Sequence, residues 1–466
     1  MRKTSTPRNL VDRRKRSILS AHERCTVETL ERRCLLSAGY VETALTSDIP
    51  GFAPNTDRNL VNPWAFTEDS EGQFRVAANG SGRGILLDSE GEKSGADIII
   101  PAPAGSPAGT TSTPNGVVPN TTSNFMITVN GRSAPATLLF STEDGTIAGW
   151  NPRLSRTHAV IAADESGNGA VYKLLTLGSN AQGMFIFASD FHNNAIDIFN
   201  SSFQPVHFGP NAFVDPTTGP NAIPSNFAPF GVKNFNGTLF VTYAEQDADK
   251  HDDVAGVGNG FIDEYDTNGN FIRRFASRGT LNSPIGATIA PANFGAFSND
   301  VLIGNFGDSR VNAFDSTGKF LGQLTDTQGN PLVLNGGFQE TDQKGLWGIG
   351  FGNGADGAST NTLFFAAGIN EENDGLFGAV NIPSAQHNRM EDHQHDGDHD
   401  HVPQMDDVHG SGPSDDGDIL SDGDISKSNA GDVGDRSHGL SLSVVSSSAG
   451  GRNNSLRVSS VTDNRR

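Results

Sequence analysis

The 466-residue sequence predicts an all-β chain, a six-bladed β-propeller with disordered N- and C-terminal tails. Three observations predict it. A short start (Pro or Leu, then a variable, a small and an apolar residue) recurs as PWAF at 63–66, PNGV at 114–117, PFGV at 229–232, PIGA at 284–287 and LWGI at 346–349. A sixth copy, placed at 171–174 by spacing, lacks the small residue. Each start leads into short strand-like runs parted by Gly and Asn turns, the pattern of propeller blades. No segment sustains the 3.6-residue period of an amphipathic helix.

Taken in order, residues 1–38 read as a disordered basic leader, with ten Lys/Arg against four Asp/Glu in 1–37. Its apolar run CLLSA is too short for the core of a secretory signal. Both cysteines, Cys25 and Cys34, fall in this leader, so no disulfide staples the body. Residues 39–383 are expected to form the propeller. The final unit has three strands of its own (GLWGIGF, TLFFAAG, LFGAVNI), and VETALTSDI at 41–49 is expected to supply the fourth and close the ring. Closure removes two sheet edges that would otherwise invite aggregation. Residues 384–466, rich in Asp, Ser, Gly and His, cannot repay ordering entropy and read as a disordered tail.

The net charge of −21 disfavours nucleic acid and anionic membranes and favours cations. No run of 18 apolar residues exists to form a membrane-spanning helix. A monomer is expected. The candidate partners are a small molecule or an extracellular protein or polysaccharide.

Strand pairs at 74–88, 138–150, 185–199 and 301–315 have short connections, whereas 239–266 carries a long acidic one. Connections in compact domains run about 4–6 residues, so the insertion points to a function or a bound ion. Asp247 and Asp249 have DxD spacing, with Asp252 and Asp253 adding charge, which suits calcium. His251 and Asp252 stand where a helix-flanked calcium loop would carry Asn or Asp and then Gly, so that motif is absent. His251 with His192 would suit a transition metal instead, and a solvated loop is the plain alternative.

Connections between the second and third strands of each blade share one rim, which gathers Asn79, Asp144, Asp190, His192, His251, Asn305 and Asp308 as candidate ligand-binding residues. Tight turns use Asp, Asn and Gly for their own geometry, so each residue alone has a structural reading. No GxSxG elbow or complete catalytic triad is present. Asp190 with His192 is a conceivable water-activating pair. Trp64 and Trp347 could stack on a ligand, or simply pack along the axis. In the tail, His387, His393, His395, His399, His401 and His409 alternate with carboxylates, a composition that binds transition metals weakly or merely solubilises.

Residues 30–38, LERRCLLSA, resemble the LEPR-XLL type of N-terminal sorting segment, with Arg32 in place of the usual Pro. That resemblance implies a secreted or cell-surface protein. Segments including LTSDIPG at 45–51, STEDGTIAGWNP at 141–152, SDFHNNAIDIF at 189–199, VTYAEQDADKHDDVAGVGNG at 241–260 and GLWGIGFGNG at 345–354 resemble an uncharacterised family of bacterial secreted propellers related to NHL repeats. The family implies a six-bladed fold and no established activity. Two functions follow as expectations: a secreted propeller that binds a ligand at its rim with a calcium-ordered loop, or a metal-dependent lactonase- or esterase-like hydrolase acting in the central funnel.

Overall fold

The computed structural model describes residues 39–339 and 344–383. The leader 1–38 and the tail 384–466, with the tail histidines, lie outside the described residues. Six antiparallel sheets form the blades of a β-propeller. Their first strands are Pro63–Glu68, Pro114–Pro119, Tyr172–Asn180, Phe227–Phe235, Pro284–Ile289 and Leu346–Phe351. Among the described residues the helical turns are short 3-10 segments, and no helix is long and apolar enough to cross a membrane.

The ring closes as the sequence predicts. Val41–Ser47 adds antiparallel to Asp374–Asn381, with pairs running from Val41 opposite Asn381 to Ser47 opposite Leu376. Two residues, Asn55–Thr56, extend this sheet to five strands. An unanticipated hairpin, Met126–Val129 with Arg132–Pro135, is inserted between the first two strands of the second blade. Its alternation is too short to separate from a loop by pattern alone.

The recurring start has a mechanical meaning. In every blade the first two strands slip register at this point, for example between Pro63 and Phe66, between Pro229 and Gly231 and between Leu346 and Gly348. A bulge of this kind bends the strand and re-aims a side chain. Here the variable residues Trp64, Phe230, Ile285 and Trp347 join Phe191 and Phe306 in one buried cluster along the axis. The small residue is compelled by crowding: a Cβ on Gly231 would lie 2.6 Å from the Ile285 carbonyl oxygen, and one on Gly348 2.5 Å from that of Trp64. The start of the third blade begins at Tyr172, one residue later than spacing suggests. Tyr172 pairs with Asp190 before the slip to Leu175, so Lys173 takes the axial position.

A second repeated bond fixes the rim. At the end of each second strand a backbone N–H donates to the link entering that blade, as in Asn79 to Asn62 O (3.0 Å), Phe191 to Val171 O (2.9 Å) and Phe306 to Ser283 O (3.0 Å). Blade links and long loops are therefore tied to the same face.

Two carboxyls on or near the closure are expected to make stability pH-dependent. Burial pushes Glu42, which accepts the Gly336 N–H at 2.7 Å, up to about 7, and burial likewise pushes Glu68 up to about 7. An acid whose folded pKa is raised favours the folded state while protonated, so stability falls as pH rises from the unfolded value near 4.5 through 7. Melting temperature should be higher at pH 5.5 than at pH 8. Glu42→Gln should flatten that dependence and raise the melt at pH 8; a variant with an unchanged pH slope would refute the assignment.

Candidate functional site

The acidic insertion spans the connection between Thr238–Glu245 and Phe261–Asp266 in the fourth blade. It is a closed structure in its own right. Asp247 N–H donates to Asp252 O at 2.8 Å, Lys250 N–H to Asp247 O at 3.2 Å, and His251 N–H to the Asp247 carboxylate at 2.9 Å. Asp247 thus serves the turn, and Asp249 stands exposed at its tip. The carboxylates of Asp247, Asp249, Asp252 and Asp253 do not converge as one ligand group among the described residues; Glu143, His251 and Asp252 do.

That convergence is organised by a buried lysine. Lys173, only 1 % exposed, sends its ammonium into the mouth of the axis, where it donates to Glu143 Oε1 at 2.5 Å and lies 3.4 Å from Asp252 Oδ1. It also sits 5.1 Å from the Trp64 ring and 5.7 Å from that of Phe191. Burial works against the charge, but Glu143 and Asp252 outweigh it and the pKa is raised. Glu143 is fixed from its other side by the Asn79 side-chain amide at 2.8 Å.

His251 Nδ1 lies 3.0 Å from Asp252 Oδ1. This bond raises the imidazole pKa and holds the exposed Asp252 carboxyl down near 2. Asp253 points inward; burial pushes it up to about 6, and its Oδ2 has no hydrogen-bond partner among the described residues. On the far side of the mouth Glu372 accepts from Asn62 at 3.0 Å, Asn62 in turn accepts the Trp347 Nε1–H at 3.1 Å, and burial pushes Glu372 up to about 7. A cluster of perturbed ionisable groups in a concavity is a functional-site candidate.

The other rim residues serve turns. Asp144 accepts from Thr113 N–H at 2.9 Å and from the Ser112 hydroxyl, so it faces the blade link while its neighbour Glu143 faces the mouth. Asp190 accepts from Val171 N–H and Asn193, and is not paired with His192. His192 instead contributes its backbone carbonyl to Gln246. Asn305 is fully buried, accepts from Asn282 N–H, and donates to Thr280 O and to Asp308. Asp308 also accepts from Arg310 N–H, and burial raises its pKa.

Trp64 and Trp347 stack on each other with ring centroids 3.4 Å apart and close the axis beneath the charged cluster. The open central funnel expected from the sequence is therefore a shallow mouth over an aromatic floor. Glu143, Lys173 and Glu372 were not singled out from the sequence. A signal existed for one of them: Lys173 is the single charged residue at the variable position of the start.

No family model matches the chain. Among solved structures, a streptogramin B lyase is similar over 75 % of this chain and 99 % of its own, at 14 % identity and TM-score 0.43. A gluconolactonase of Xanthomonas campestris is similar over 70 % and 88 %, at 11 % identity and TM-score 0.38. Among curated sequences, uncharacterized protein R648 of Acanthamoeba polyphaga mimivirus is 29 % identical over 338 residues, 72 % of this chain and 78 % of the relative. Uncharacterized protein L690 of the same virus is 30 % identical over 331 residues, 70 % of this chain and 82 % of the relative. These relatives are viral, which corrects the bacterial family implied by the sequence resemblance. At that identity and coverage the chain belongs to the family of the mimivirus protein L690.

Proposed function

We propose that this chain is a ligand-binding β-propeller that takes its ligand at the mouth, through a divalent cation on Glu143, His251 and Asp252 beside the Lys173 ammonium. The observation that carries this reading is that one donor atom from each of the three residues lies within 4.8 Å of the others, although they come from two blades. Two carboxylates and an imidazole make a mixed donor set, which suits zinc or manganese better than calcium, a cation that takes oxygen ligands. Lys173 supplies the fixed positive charge for an anionic group on the ligand. The leader segment at 30–38 supports placing the protein outside the cell or at its surface.

A second reading, a hydrolase using the same centre, is favoured by the 3.0 Å His251 Nδ1 to Asp252 contact, which fixes the imidazole where a bound cation would activate a water. A panel of lactones and esters assayed with and without zinc separates the two: metal-dependent turnover lost in His251→Ala would replace the binder by the enzyme.

Thermal melts after chelation, titrated with zinc, manganese and calcium, test the cation. One ion stabilises by about 2.7 kcal/mol at a hundredfold excess over its Kd. A rise with zinc or manganese that exceeds the rise with calcium, and that Glu143→Gln or Asp252→Asn abolishes, is the expected result. Equal melts with and without every ion would overturn it.

Lys173→Met gives a second check. Removing one partner of a buried pair costs about 3–5 kcal/mol, because the other charge is left uncompensated. The variant should melt lower than the native protein, and zinc should restore more of its stability than it adds to the native protein, since the ion then meets no repulsion from a neighbouring ammonium. A variant that zinc does not stabilise would place the ion elsewhere.

A further inference from the structure

The aromatic floor has an underside. Below Trp347 and Ile285 the inner strands enclose a cavity of about 60 Å³, which is room for about four waters. Most of its lining side chains are apolar, among them Phe66, Val117, Leu175, Val232 and Ile349 of different blades. Lys233 is the one charged group among its lining residues, and Thr176 the one hydroxyl. Lys233 lies toward the end of Phe227–Phe235 that turns away from the mouth, and it is solvent-exposed, so the cavity communicates with water on the face opposite the acidic loop.

Lys233 departs from its own repeat. It is the fifth residue of its start, and the matching residues of the other blades are Thr67, Val118, Thr176, Thr288 and Gly350, all small or uncharged. It also differs from the two lysines that are tied to the fold by ion pairs. Lys93 and Lys173 each hold two carboxylates, whereas no hydrogen bond or ion pair joins the Lys233 ammonium to any described residue.

We propose that this lower cavity binds a small carboxylate with a short apolar body, entering from the face opposite the acidic loop and pairing with Lys233. The carboxylate supplies the missing counter-charge, and the apolar body meets the apolar side chains of the inner strands. The volume limits the ligand to a few heavy atoms, so longer chains would have to protrude. The site is independent of the metal centre at the mouth, because the axial cluster of Trp64, Phe230, Ile285 and Trp347 separates the two.

Calorimetric titration of the full-length protein with acetate, propionate, butyrate and hexanoate tests this, with chloride and sulfate as controls. Saturable binding that peaks at propionate or butyrate and weakens at least tenfold in both Lys233→Met and Lys233→Gln is the expected result. Both variants should melt no lower than the native protein, since each removes an unpaired charge, and this separates loss of the site from loss of the fold. No saturable binding, equal binding in the variants, or equal binding of chloride would each overturn the proposal. In the last case Lys233 would be a plain solubilising charge with a loose counter-ion. Loss of zinc binding at the mouth in Glu143→Gln with butyrate binding intact is the further outcome that shows the two sites to be separate.

Discussion

Six first strands meet along one axis, and at the third residue of the starts that carry glycine there is almost no space between one strand and the next blade. A Cβ added to Gly286 would come within 3.0 Å of the Trp347 carbonyl oxygen, and the approaches at Gly231 and Gly348 are closer still. The small residue is therefore set by distance, and the register slip beside it is the means by which a strand can turn at such close quarters. Once the strand turns, the second residue has nowhere to go but the axis. Packing at that point is of interior density, so aromatic side chains fill it and Trp64 stacks on Trp347. The plug then divides the axis into a mouth on one face and a small cavity on the other.

Lys173 occupies one of these six axial positions at a cost the others avoid. A buried ion pair is seldom better for stability than well-packed apolar residues of similar volume. An apolar residue at 173 would have extended the plug by one more side chain. The lysine instead ties Glu143 of the second blade to Asp252 of the fourth, and the Trp64 face adds a cation–π contact of about 0.5–2 kcal/mol. Its effect is to hold carboxylates from separate loops at one place in a single geometry. That is a property of a site and not of a core.

The fold was legible in the sequence because its evidence is repeated. Crowding recurs in most blades, so the small residue recurs, and five imperfect copies revealed what one could not. Closure by 41–49 was legible for a related reason: the last unit was a strand short. The candidate site was legible only as a region. Sequence identified the acidic loop by its length, but Asp144 and Glu143 are adjacent acids whose difference is which way a turn presents them, and only the bonds from Thr113 and Ser112 assign Asp144 to the blade link. Asp190, Asn305 and Asp308 look like ligands for the same reason that they make good turns: their short polar side chains reach backbone N–H groups. Lys173 was obscured by a one-residue offset in the third start, which hid the fact that a charge stood at an axial position.

The position of the plug relative to the ring seam ties the site to closure. Trp64 belongs to the first blade and Trp347 to the sixth, so their stack crosses the one junction the chain cannot make between consecutive blades. Asn62 and Glu372 lie across the same junction, and the Trp347 indole donates to Asn62. These contacts join residues about three hundred positions apart, where loop-closure entropy must be met before any contact rewards it. The pairing of Val41–Ser47 with Asp374–Asn381 meets that cost along a whole strand rather than at one contact. Until that strand is in place, Lys173 has only half of its aromatic floor, and Glu372 has no Asn62 to hold it. Closure therefore completes the aromatic floor and the Asn62–Glu372 side of the mouth, whereas Glu143, Lys173 and Asp252 come from the second, third and fourth blades and are joined without it.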